Sequence, residues 1–132
     1  MSPVSKETTV RFLVVSADPT LEDEFESAMQ AIKGYRCAAT YERDERSGVE
    51  SARVRMPDVI VIELGKRLGD VRTLAEELSV AAPDAAIIAV YRRQMFDDPD
   101  TETGAIIEIL RARVQDFLRR PISVGELQAT IE

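Results

Sequence analysis

Four short apolar bursts constrain this chain more than any other feature: Phe12-Leu13-Val14-Val15, Val59-Ile60-Val61-Ile62, Ala86-Ile87-Ile88-Ala89-Val90 and a weaker Val114 to Leu118. None alternates polar with apolar, which is the pattern of strands covered by helices on both faces of a parallel sheet. A fifth candidate, Tyr35 to Tyr41, is more polar and reads as an edge strand. Helical stripes run between the bursts. Residues 20 to 33 place Leu21, Phe25, Met29 and Ile32 on one face, with Glu22, Asp23, Glu24 and Glu26 facing away or near the helix start. Asp18-Pro19 supplies an N-cap and a proline at the first helical position, and Gly34 is expected to close this helix. Residues 44 to 55 form a more charged helix ended by Pro57. Val71, Leu74, Ala75 and Leu78 mark a third, and Ala105, Ile106, Ile109 and Leu110 a fourth. Ser123 with Glu126 makes a capping box that opens a fifth, carried by Val124, Leu127 and Ile131. The alternation predicts an α/β fold, a (βα)5 doubly wound five-stranded parallel sheet over residues 11–132 behind a polar tail at 1–10. The last helix is expected to continue past Glu132 in a longer parent protein.

Composition removes most site chemistries. At 132 residues the chain has room for one domain with a continuous core. With no His and only Cys37, imidazole and thiolate zinc sites, serine and cysteine triads, and intramolecular disulfides are excluded. Against 17 basic residues stand 24 acidic ones, a net charge of −7 that disfavours nucleic acid and anionic membranes as partners. No apolar run approaches the roughly 20 residues of a membrane span. The first residues lack the apolar core of a signal peptide, so the chain is expected in the cytoplasm.

In a doubly wound sheet, sites lie outside the carboxyl ends of the strands. The residues there are Ser16-Ala17-Asp18, Glu63, Tyr91 and Arg119-Arg120-Pro121. Asp18 is accounted for by helix capping, with a displaced metal ligand as the alternative. Glu63 is either a partner of Arg120, whose guanidinium forks onto a carboxylate, or a solvated loop residue. No glycine follows the first strand to cradle a phosphate, which argues against a flavodoxin-like enzyme. Asp97, Asp98 and Asp100 fall in a long segment, Arg92 to Thr103, that reads as a solvated acidic loop, since no glycine or distal glutamate completes a calcium loop.

This rhythm, with Pro57-Asp58 leading the third strand into a carboxylate and Phe117-Leu118-Arg119-Arg120-Pro121 before the last helix, resembles the CheY-like receiver domain of bacterial response regulators. The resemblance implies strand order 2-1-3-4-5 and a phosphoacceptor pocket of an acidic pair, an aspartate, a small hydroxyl and a Lys-Pro with a cis bond. The sequence departs at each place. Ser16 and Ala17 stand at the acidic pair, Glu63 at the phosphoacceptor, Tyr91 at the hydroxyl and Arg120 at the lysine. Magnesium needs several oxygen ligands with carboxylates among them, so no metal is expected. A third reading of Glu63 follows, as a permanent mimic of the phosphorylated residue. Tyr91 is expected to fill the emptied pocket, and Phe117 matches an aromatic that receivers flip, or else simply packs.

The string from Ile109 to Ser123 is similar to the end of the atypical receiver that precedes a ParA/MinD-like ATPase domain in TadZ/CpaE pilus-assembly proteins. That likeness implies a pseudo-receiver without cofactor or catalysis, one that binds a protein partner or itself and is recruited to a cell pole. Receiver dimers commonly use the fourth helix, fifth strand and fifth helix, where Arg111, Arg113, Asp116 and Arg119 would form reciprocal bridges. The competing reading is a receiver that still accepts phosphate in a two-component relay.

Overall fold

The computed structural model describes residues 9–65, 68–111 and 113–132, so residues 1–8 of the expected polar tail lie outside the described part. Strands β1 (Thr9–Val15), β2 (Arg36–Glu42), β3 (Val59–Glu63), β4 (Ala86–Arg92) and β5 (Asp116–Arg120) alternate with helices α1 (Pro19–Gln30), α2 (Glu45–Arg55), α3 (Leu68–Ala81), α4 (Pro99–Leu110) and α5 (Val124–Ile131). All neighbouring strands are parallel, as the apolar bursts predict, and their order is β2-β1-β3-β4-β5, as the receiver resemblance implies.

Strand parity divides the core into two layers. Leu13, Ile60, Ile62, Ile87 and Ala89 face Ala52 of α2, Leu74 and Leu78 of α3 and Ile109 of α4. Phe12, Val14, Val61, Ile88, Val90 and Leu118 face Leu21 and Phe25 of α1 and Leu127 of α5. Side chains on β3 are buried on both faces, which is why its run needs no polar alternation.

Four boundaries differ from expectation. β1 begins at Thr9, inside the expected tail. β5 starts two residues later than the apolar burst, because Val114 is buried in the approach to the strand and polar Arg119 and Arg120 complete it. α1 stops at Gln30, and Gly34 sits beyond it with φ of 88°, serving the turn into β2 rather than the helix cap. The acidic segment is not one long loop: Asp98 caps α4 by accepting from Thr101 N, and Pro99 is its first residue. The Asp-Pro signature that opens α1 opens α4 as well.

Gly48 lets α2 lie against β1. A Cβ there would come within 2.8 Å of Val15 Cγ2, whereas one at Gly104 in α4 meets nothing within 4 Å. Valine is stiff at χ1 and cannot swing aside. Gly48→Ala should therefore lower stability by about 1–3 kcal/mol from overpacking, despite its better helix propensity. Gly104→Ala should raise stability by about 0.5–1 kcal/mol. Thermal melts followed by circular dichroism read both signs.

Candidate functional site

At the carboxyl ends of the strands, Ser16, Glu63 and Arg120 continue the parity of the layer under α1 and α5. They meet there. The Arg120 side chain is 3% exposed, and its Nη1 donates to Glu63 Oε2 at 2.7 Å and to Asp18 Oδ2 at 2.9 Å. Its Nε and Nη2 reach Glu24 Oε1 at 3.1 and 3.0 Å. One guanidinium is thus shared among three carboxylates from three elements. Ser16 Oγ donates to the other Glu63 oxygen at 2.6 Å and accepts from Asp18 N at 3.0 Å. Glu24 Oε2 accepts from Ile122 N at 2.6 Å, beside the cis Arg120-Pro121 bond. Asp18 does two jobs, capping Thr20 N at 2.9 Å and binding both Arg120 and, at 3.0 Å, Arg92. Ala17 is exposed and offers only a methyl group.

The electrostatics follow. The Arg120 bond first, and then the Thr20 amide, hold the Asp18 carboxyl below its usual range. Burial works against the Arg120 cation, but its bonds to Asp18 and Glu24 outweigh burial and hold it above its usual value. Glu24, expected among the acids that face away from the apolar stripe or lie near the helix start, bonds Arg120 instead. At three residues after Leu21 and four before Ala28, it borders the buried stripe of α1, and that spacing was the available signal.

Tyr91 does not fill this pocket. It has the parity of Ile87 and Ala89, so its ring enters the opposite layer, edge-on to Phe96 and Phe117 with centroids 5.7 and 6.5 Å away. There its hydroxyl donates to Glu102 Oε2 at 2.6 Å. Arg119 clamps the same carboxylate with two bonds of 2.9 Å, and Glu102 is 4% exposed. The bonds from Tyr91 and then Arg119 lower the Glu102 pKa, while burial raises that of Tyr91. The cluster pins α4 to β4 and β5. Phe117 is packed against Tyr91, and Arg119 bonds Glu102 within the chain while its side chain stays 55% exposed. Asp116 accepts from the following amide, Phe117 N, while Arg111 and Arg113 remain exposed. Glu102 falls in the segment whose acidic content predicts a solvated loop, yet it lies three residues before Ala105 on the core face of α4.

These residues do not fit a magnesium ion. The carboxylates converge on a guanidinium, two positions that would supply ligands carry Ser16 and Ala17, and among the described residues no group of three His, Cys, Asp or Glu is placed to share a metal.

No protein-family model matches the sequence, and no curated protein is similar to it. Solved structures are similar in fold. A pilus-assembly protein, CpaE, from Burkholderia thailandensis superposes with a TM-score of 0.70 at 22% identity over 92% of this chain and 94% of that one. The receiver domain of the response regulator NarL from Mycobacterium tuberculosis gives 0.72 at 14% identity over 94% of both chains. The response-regulator domain of CheB from Thermotoga maritima gives 0.69 at 20% over 93% of both. The chain has the CheY-like receiver fold, a fold that CpaE-type pilus-assembly proteins share. Among the described residues no helix is long and apolar enough to cross a membrane.

Asp18 titrates lower in the folded chain than in the unfolded one. Its contribution to stability is therefore complete above the unfolded carboxyl pKa near ~4 and is lost as pH falls through the lower folded value. Arg120→Met leaves three facing carboxylates and should cost roughly 3–5 kcal/mol at pH 7. Part of that loss should return on acidification, because adding protons removes the repulsion among the unpaired carboxylates. Wild type should only weaken over the same interval, and urea unfolding at several pH values distinguishes the two slopes.

Proposed function

We propose that this chain is a pseudo-receiver: a non-catalytic module of receiver fold that works by binding protein, independently of phosphorylation. The observation that carries the reading is the position of Arg120, whose guanidinium bonds all three carboxylates at the strand ends. A phosphoryl group on a receiver needs a metal to offset its charge, and here an internal guanidinium is already bonded to each carboxylate gathered at that end of the sheet. Glu63, bonded on both oxygens to Ser16 and Arg120, acts as a structural carboxylate and not as a phosphoryl mimic. The likeness to pilus-assembly structures supports a place in a CpaE-type protein, with an ATPase domain following in the parent and recruitment from the cytoplasm to an assembly site at a cell pole.

Incubation with acetyl phosphate and magnesium, followed by intact-mass spectrometry, tests the reading. The expected spectrum is unmodified protein. A stoichiometric phospho-adduct would establish the competing function, a receiver that still accepts phosphate.

A further inference from the structure

The two edges of the sheet are unlike. β5 runs for five residues and carries charge at Asp116, Arg119 and Arg120, a common means by which an edge strand resists further pairing. β2 runs for seven, and its interior, Cys37-Ala38-Ala39-Thr40-Tyr41, has no charge, no proline and no glycine. Helices cover neither of its faces fully. Cys37, Ala39 and Tyr41 are half-buried in the layer under α1, and on the other face Ala38 and Thr40 line an open groove of about 450 Å³ with Leu13 and Val54. Among the described residues no strand pairs with the outer side of β2.

The backbone fixes what that side offers. Ser16 N donates to Glu42 O at 3.0 Å, so Glu42 turns its backbone groups toward β1. By alternation Thr40, Ala38 and Arg36 do the same, while Cys37, Ala39 and Tyr41 direct N–H and C=O outward. These outward groups are spaced evenly about Ala39. The charges are too: Arg36 stands three positions before Ala39 and Glu42 three positions after it. A strand with symmetric donors and opposite charge at its two ends is complementary to itself when reversed, whereas a uniformly acidic or basic segment would meet its own sign at one end.

We propose that a second copy of this chain adds its β2 antiparallel to the first, about a two-fold axis at Ala39, so that two sheets join edge to edge. Ala39 then faces its own counterpart and Cys37 faces Tyr41 of the second copy, in pairs that exchange backbone hydrogen bonds. Between them, in the closer pairs, Arg36 meets Glu42 and Ala38 meets Thr40, and symmetry makes each contact twice. The bond of the Tyr41 hydroxyl to Glu26 on α1 and the full pairing of β2 with β1 order the strand before association, so little order remains to be gained on binding. The inference rests on the reading of the chain as a binding module and names its partner and its edge. Two short strands make a small interface, so the isolated domain should associate weakly, with a Kd on the order of 0.1 mM.

Sedimentation velocity and amide NMR over about 0.02 to 2 mM protein read the equilibrium directly. The expected result is a rise from monomer to dimer, with concentration-dependent shifts centred on Cys37, Ala39 and Tyr41. Oxidation reads the register. With Cys37→Ala as background, Ala39→Cys places two thiols on the axis with Cα atoms about 5.5 Å apart, within disulfide reach, while Ala38→Cys places them about 8 Å apart, beyond it. Disulfide dimer should form about tenfold faster at position 39 than at the more exposed position 38. Glu42→Arg should weaken association about tenfold, and Arg36→Glu in the same chain should restore it. Monomer at every concentration, equal oxidation at the two positions, or shifts centred on α4 or β5 would overturn the proposal. None of these outcomes bears on phosphate, so a phospho-adduct would refute the pseudo-receiver reading while leaving the β2 result standing.

Discussion

The upper end of the sheet depends on one buried cation. A guanidinium that is 97% out of water is costly unless every direction is paired, and Arg120 achieves this with Asp18, Glu24 and Glu63. The partners come from the loop after β1, from α1 and from β3, so one strand-end residue ties together segments up to 102 positions apart. With Arg92 on Asp18, two guanidiniums face three carboxylates, so most of the acidic charge at this end of the sheet is offset from within the chain. Arginine suits the task because its guanidinium holds five donors in a rigid planar fork, against three on the compact, freely rotating ammonium of lysine.

The next residue along the strand does the same on the other face. Arg119 holds Glu102 and, through it, Tyr91 and α4. Adjacent arginines of β5 therefore fasten the helices of opposite layers, α1 through Glu24 and α4 through Glu102. Any displacement of β5 would strain both clusters at once. The aromatic Phe117 and the phenol of Tyr91, at positions where the family resemblance implies movable groups, are packed edge to face.

The fold was legible because it is written in local pattern. The unalternated runs of β1, β3 and β4, the Asp18-Pro19 cap and the Ser123 capping box each signal their element without reference to the rest of the chain. Boundaries were missed where polar residues carry on an element, as at Arg119 and Arg120 of β5, or where acidic content masked an Asp-Pro cap, as at Asp98. For the site, Ser16, Asp18, Glu63 and Arg120 were found by their place after the strands. Glu24 and Glu102 were not, since an acidic residue in a helix is normally solvated and only its three-dimensional partner tells otherwise. Tyr91 was located correctly along the chain and assigned to the wrong face, an error that counting alternate residues back along β4 would have removed.

In the proposed pseudo-receiver, a salt-bridged cluster stands at the end of the sheet where receivers hold their metal, and binding is left to the outer surfaces. The most direct test is an amide NMR titration of the domain with magnesium and beryllofluoride, following Ser16, Asp18, Glu63 and Arg120. Unchanged spectra up to millimolar concentrations of both are predicted, because Arg120 already occupies the carboxylates. Saturable shifts at those four residues, spreading to Tyr91 and α4, would contradict the account.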